Sequence, residues 1–166
     1  TVIESKGVPR LPDDHGDTPE SATVIVPETI GDGLRWELSG LIGIGADVDV
    51  FRIEVPNAGS LWWDVVPERY GPNLTVATEL RRADGTTVST PTSAIRSWAN
   101  GATVTVQPGT HYLLVSAGAR GNPPSSGFSA YGSLGHYRGH IGWNAPRKTH
   151  VLPNTALATG SANSQG

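Results

Sequence analysis

The stretch "LPDDHGDTPE" places Asp13, Asp14 and Asp17 around one glycine, with Glu20 close behind. Four carboxylates within eight residues repel one another unless a positive charge sits among them. A second pair stands in "GADVDVF". There Phe51, Ile53 and Val55 alternate with Arg52 and Glu54, and extending the alternation backwards puts Asp49 and Asp47 on the core side of the strand. Ionised carboxylates at the rim of a core are costly unless paired. No Lys or Arg lies within the seven residues upstream of Asp47. A divalent cation resolves both problems. Calcium suits them, because it takes roughly six to eight oxygen ligands, carboxylates prominent among them. Zinc does not: the chain has no Cys, and His15 is the one histidine in either cluster. An EF-hand loop is excluded, since the twelfth position from Asp13 is Val24 where that loop needs Glu. The candidate calcium ligands are therefore Asp13, Asp14, Asp17, Asp47 and Asp49. They come from two distant segments that folding must bring together, so the ion would clamp the lead-in against the domain. The competing reading makes Asp13, Asp14 and Asp17 turn and cap residues of a solvated loop.

Catalytic patterns fail. "GFSAY" lacks the second glycine of a nucleophile elbow, and there is no H-E-x-x-H. His136 and His140 in "HYRGH" share a strand face but are too far apart in extended chain for shared ligation, and they read as surface or edge histidines. His15 is expected to hydrogen-bond the acidic loop without being a ligand. The chain is read as non-enzymatic. Its five tryptophans leave two readings open. Trp63 alternates with Leu61 and Val65 and belongs to the core, which points Trp62 the other way. Trp36, Trp98 and Trp143 lie near strand ends or in polar surroundings. Exposed, Trp62, Trp36, Trp98 and Trp143 would stack on sugar rings or clamp an extended peptide, with Arg35, Arg52, Arg81 and Arg82 available to stack on them. Buried, they would cover a second, smaller cluster. "NLT" at Asn73 fits either a glycosylation acceptor or a turn into a strand.

These side chains need a scaffold. The chain has 166 residues and 17.4 kDa, enough for one domain with its own core. Gly 21 and Pro 13 favour many turns and short strands over long helices. A net charge of -3 with no basic run argues against nucleic acid or an anionic membrane as partner. No apolar stretch is long enough to span a bilayer. With Cys 0 there are no disulfides, and bound calcium is a device by which a secreted chain compensates. The start at Thr1-Val2-Ile3, without Met, reads as a piece of a longer protein, so the absence of a secretion signal here says nothing about compartment. Period-two alternation dominates. "RADGTTV" predicts a hairpin on Asp84-Gly85, and "ATVTVQPGTHYLLVSAG" a second one on Pro108-Gly109. "GHYRGHIGW" reads as a last strand. About eight antiparallel strands at this spacing predict an all-β sandwich or barrel. Residues 1–12 form a lead-in, 13–143 the domain with a long loop over 119–133, and 144–166 a polar tail.

"DDHGDTPESATVI", "DVDVFRIEV", "GPNLTVATELRRADGTTV", "PGTHYLLVSAG" and "GFSAYGSLGHY", in that order, resemble the bacterial pre-peptidase C-terminal domain over about residues 7–142. The version in question closes secreted zinc metalloproteases. The resemblance implies an antiparallel jelly-roll-like β-sandwich that is extracellular, non-catalytic and joined to an upstream hydrolase. The expected role is to hold that hydrolase on a polymer, such as the protein collagen, or to aid secretion and stability; the sandwich, the calcium and the tryptophans suit a carbohydrate-binding module on polysaccharide as the alternative. A spacer removed on maturation is a third possibility. Related collagenase domains bind calcium through an acidic lead-in and an acidic pair before an aromatic strand. Asp13, Asp14 and Asp17 match the first, Asp47 and Asp49 the second, and a backbone carbonyl near Tyr131 could add a ligand. The chain departs from the family at Asp17, where Asn is usual, at Ala130, where a polar residue is usual, and at His111 and Leu114 in "HYLLV".

Overall fold

A computed structural model describes residues 12–69, 73–91, 99–122 and 126–147. The strands are β1 (Thr23–Val24), β2 (Glu28–Ile30), β3 (Gly33–Ile42), β4 (Val48–Val55), β5 (Gly59–Pro67), β6 (Val76–Arg82), β7 (Thr87–Ser89), β8 (Asn100–Val106), β9 (Gly109–Ala117), β10 (Arg120–Asn122), β11 (Ser126–Phe128) and β12 (Gly135–Trp143). One sheet runs β1-β4-β9-β6-β7 and the other β2-β3-β12-β5-β8. Setting aside β1, β2 and the small β10–β11 pair leaves eight strands, four in each sheet, in the jelly-roll arrangement. The extra strands have two or three residues, too few to show an alternation. The β10–β11 pair lies inside what reads in the sequence as one long loop, and β1 is parallel to β4 where an antiparallel arrangement is expected.

The Asp84-Gly85 hairpin forms, with Gly85 at φ 82 and Arg81 opposite Thr87. The Pro108-Gly109 hairpin does not. β8 pairs with β5 and β9 with β4 and β6, so this turn carries the chain from one sheet to the other. Alternation identifies a strand's buried face but not its neighbour, and Val106 and Leu113 bury equally well from opposite sheets.

The core is the double layer between the sheets, and Trp36, Trp63 and Trp143 lie inside it. The Trp63 indole N–H donates to Thr78 Oγ1 at 2.8 Å, and the Thr78 hydroxyl donates to Asn100 Oδ1. This chain of bonds crosses between the sheets and satisfies the polar edge of a fully buried ring.

The exposed aromatic platform is not formed by these residues. Trp36 is 1%, Trp62 4% and Trp143 6% exposed; Trp98 lies outside the described residues. Trp62 does project from the outer face of β5, but its ring lies against Gly142 of β12 and under residues 144–147. Its indole N–H donates to the Ala145 carbonyl at 2.7 Å, and the Arg147 guanidinium stands 5.6 Å from the ring centroid. Residues 144–147, read in the sequence as the start of a tail, are thus a strap; 148–166 lie outside the described residues. A Cβ at Gly142 would fall 2.3 Å from Trp62 Cε2. Gly142→Ala is therefore expected to cost about 1–3 kcal/mol by overpacking, read as a lower urea midpoint at unchanged slope.

Candidate metal centre

The acidic loop docks where β3 ends and β4 begins. Backbone donors on those strands hold it. Leu41 N–H donates to Asp14 Oδ2 at 2.9 Å, and Val48 N–H to Asp17 Oδ1 at 3.2 Å. Asp47 closes the β3–β4 turn by accepting from Gly43 N–H at 2.5 Å. Val50 N–H donates to the Gly16 carbonyl at 3.1 Å, so the glycine inside the acidic run is itself tied to β4. Asp14 and Asp17 do cap backbone amides, but those amides lie 27 and 31 residues away, and the loop is docked on the domain.

Folding sorts the five carboxylates into two groups. Asp13, Asp17 and Asp47 offer oxygens within 4.8 Å of one another, and so do Asp14 and Asp49 with His15. The fit to a cation differs between them. In the first, one oxygen each of Asp17 and Asp47 is fixed by an amide, which leaves the other for a ligand, and Asp13 accepts no hydrogen bond from a described residue. Three carboxylates with free oxygens suit a hard divalent cation. In the second group His15 contributes no lone pair. Its Nε2 lies 2.7 Å from the Ser39 carbonyl, which only accepts, so Nε2 is the protonated nitrogen. Its Nδ1 faces the Thr23 hydroxyl at 2.9 Å, and its ring packs on Phe51 at 4.7 Å. His15 is a staple between the loop, β1 and β3.

Asp49 is fully buried. Its Oδ2 accepts from the Tyr137 hydroxyl, and its Oδ1 has no partner. Burial pushes the Asp49 carboxyl up to about 7; the Tyr137 bond opposes this, and the negative charges of Asp14 and Asp47 add to it. Burial also raises Asp47, against the Gly43 amide and together with Asp13, Asp17 and Asp14. The Tyr137 hydroxyl is held above its ordinary range by burial and by Asp49. Gly40 makes the pair possible, because a Cβ there would lie 2.6 Å from Asp49 Oδ2 and collide with the Tyr137 hydroxyl. Neither Tyr137 nor Gly40 stands out in the sequence. The β3–β12 register that brings them to Asp49 is a long-range pairing without a local signal.

An open pocket of about 510 Å³ lies over the first group, lined by Asp13, Asp14, Asp17 and Asp47 and by apolar Leu41, Ile44 and Leu134. Tyr131, in a 3-10 turn (Ala130–Gly132), runs alongside, its backbone next to Gly45. The other candidate motifs are structural. The Asn73 amide donates to the Gly132 carbonyl and Thr75 is buried, as fits a turn into β6. His136 is exposed. His140 is buried, with Nε2 3.3 Å from Glu37, and not at the surface as its sequence suggests. No helix among the described residues is long and apolar enough to cross a membrane.

A jelly-roll sandwich with a docked acidic loop and an adjoining pocket defines the class of fold and site. The chain is similar in fold to the pre-peptidase C-terminal domain of collagenase from Bacillus anthracis. The two are 20% identical with a TM-score of 0.51, over 76% of this chain and 99% of that one. A family 35 carbohydrate-binding module from Clostridium thermocellum matches at 13% identity and a TM-score of 0.33, covering 73% and 88% of the two chains. A module of Cellvibrio mixtus lichenase 5A, solved with cellotriose, matches at 15% and 0.28, covering 74% and 88%. No protein-family model matches the sequence, nor does any curated protein. The resemblance carried by "DDHG", "DVDVF" and "YGSLG" is thus met in the fold.

Proposed function

We propose that this chain is a non-catalytic accessory domain of a secreted bacterial hydrolase, of the metallopeptidase type. It holds calcium between Asp13, Asp17 and Asp47, and it keeps the catalytic part of the same protein on an extracellular protein polymer. The observation that carries the reading is the meeting of two remote acidic segments, each fixed by backbone amides, with three carboxylates left facing one another. Bound there, the ion would neutralise that repulsion and lock the lead-in to β4. The fold shared with a collagenase accessory domain supports the assignment to a peptidase.

The carbohydrate-binding alternative asks for an exposed aromatic platform, and Trp36, Trp62 and Trp143 are covered. Retention of the full chain on insoluble collagen or elastin in calcium, lost on chelation, with passage through chitin, cellulose and xylan, is the expected result. Retention on the polysaccharides alone would overturn the peptidase assignment. Passage through every polymer, with calcium bound, would leave a spacer.

A further inference from the structure

The pocket beside the acidic loop is built for more than an ion. At about 510 Å³ it falls within the range of roughly 300–1,000 Å³ of ligand sites, whereas an ion needs space on the order of one water, about 30 Å³. Leu41, Ile44 and Leu134 give it an apolar wall that does nothing for a cation held by oxygens. On its flank stand Ile44, 40% exposed, and Tyr131, 88% exposed on a short turn tied down by the Ser133 N–H to Ala130 carbonyl bond. An exposed tyrosine on a fixed backbone is a frequent anchor in protein interfaces.

The charge says what fits. Four carboxylates line the pocket, and none of its described lining residues is basic. One divalent ion among Asp13, Asp17 and Asp47 neutralises two of these charges and leaves Asp14 outside its group. Behind Asp14, within 4.8 Å of it, stands the buried Asp49 carboxyl group with its Oδ1 unpartnered, and it adds no positive charge. The net field remains negative with the ion in place.

We propose that this pocket receives an arginine or lysine side chain of an extended protein segment, the cationic head on Asp14 and the methylene stem along Leu41, Ile44 and Leu134, with Tyr131 packing on the neighbouring residue. Long basic side chains match such a split surface, since the stem is apolar and the head charged. The proposal rests on the reading of this domain as a protein-binding module and names the feature of the protein that it takes.

The test uses the full chain, labelled for amide NMR, and a capped glycine-rich peptide carrying two arginines, with its citrulline counterpart as the neutral isostere. With calcium present, the arginine peptide is expected to shift the amides of residues 41–47 and 134–135 and to bind about tenfold more tightly than the citrulline form. Asp14→Asn keeps the acceptor for Leu41 N–H and is expected to remove most of that preference. Tyr131→Ala, an exposed position that leaves folding intact, should weaken both peptides alike. Equal binding of the two peptides, shifts elsewhere on the sandwich, or the same shifts produced by cellohexaose instead would each overturn the proposal. Calcium stabilisation without peptide binding would sink this inference and leave the ion site standing. Peptide binding without calcium stabilisation would do the reverse.

Discussion

Calcium added to the chelated chain is expected to raise its melting temperature by roughly 5–10 °C. An ion that binds only the folded state stabilises it by about 2.7 kcal/mol at a hundredfold excess over its dissociation constant. A domain of this size responds with about 2–4 °C per kcal/mol. The folded state alone brings Asp13 and Asp17 to Asp47, because the contacts that align them, Val48 N–H to Asp17 and Gly43 N–H to Asp47, belong to the docked loop and the β3–β4 turn. In the unfolded chain some thirty residues separate the two segments, and bringing them together costs loop entropy. Asp47→Asn keeps an acceptor for the Gly43 amide and removes one charge from the ion's group. It is expected to abolish most of the rise while leaving the ion-free protein as stable as the parent, or more so, since it also relieves repulsion with Asp13, Asp14 and Asp17. Differential scanning calorimetry in calcium, magnesium and chelator decides the matter. Identical melting temperatures in all three would mean that the loop is held by its amide bonds alone.

The part of this site legible in the sequence was the phase of a strand. Phe51, Ile53 and Val55 set the buried face of β4, and Asp49 and Asp47 inherit it: they are buried, Asp49 completely. A period of two is local, so it survives without knowledge of neighbours. Trp62 shows what such a period cannot give. Alternation correctly turned it away from Leu61, Trp63 and Val65, but outward on a strand equals exposed only if nothing later in the chain lies over it. Ala145 and Arg147 do, some eighty residues on. The Pro108-Gly109 turn and the Asp49–Tyr137 bond are of the same kind. Each depends on which strands lie side by side, a choice made by the whole core and not by a window of sequence. The acidic loop stood between these cases. Its charges announced a need for compensation, but backbone amides of β3 and β4 supply part of it, and no residue type encodes a backbone amide.

Without calcium, the chain is expected to lose stability as pH rises from about 4 to about 7, the reverse of the usual carboxylate behaviour. The sign follows from Asp49. Its carboxyl is pushed up in the folded state to about 7, from 3.8 when unfolded. A group raised on folding contributes stability that is complete below its unfolded value and disappears as pH passes through its folded value. At about 1.4 kcal/mol for each pH unit between the two values, the loss is on the order of 4 kcal/mol. Asp47, raised by burial and by its acidic neighbours, adds in the same direction. The cause is the orphaned, fully buried Oδ1, for which a proton is the one available partner among the described residues. Asp49→Asn keeps an acceptor for the Tyr137 hydroxyl and carries no charge, so its ion-free form should be more stable than the parent at about pH 8 and should flatten the profile. Saturating calcium should remove the share of the loss that Asp47 contributes, since an ion among Asp13, Asp17 and Asp47 favours the ionised carboxylate that burial disfavours, and its affinity should accordingly rise with pH as Asp47 loses its proton. Urea midpoints across this range, with calcium and with chelator, test the whole scheme. A parent profile that climbs toward neutrality in chelator would show that Asp49 ionises freely in the folded chain and would overturn this scheme.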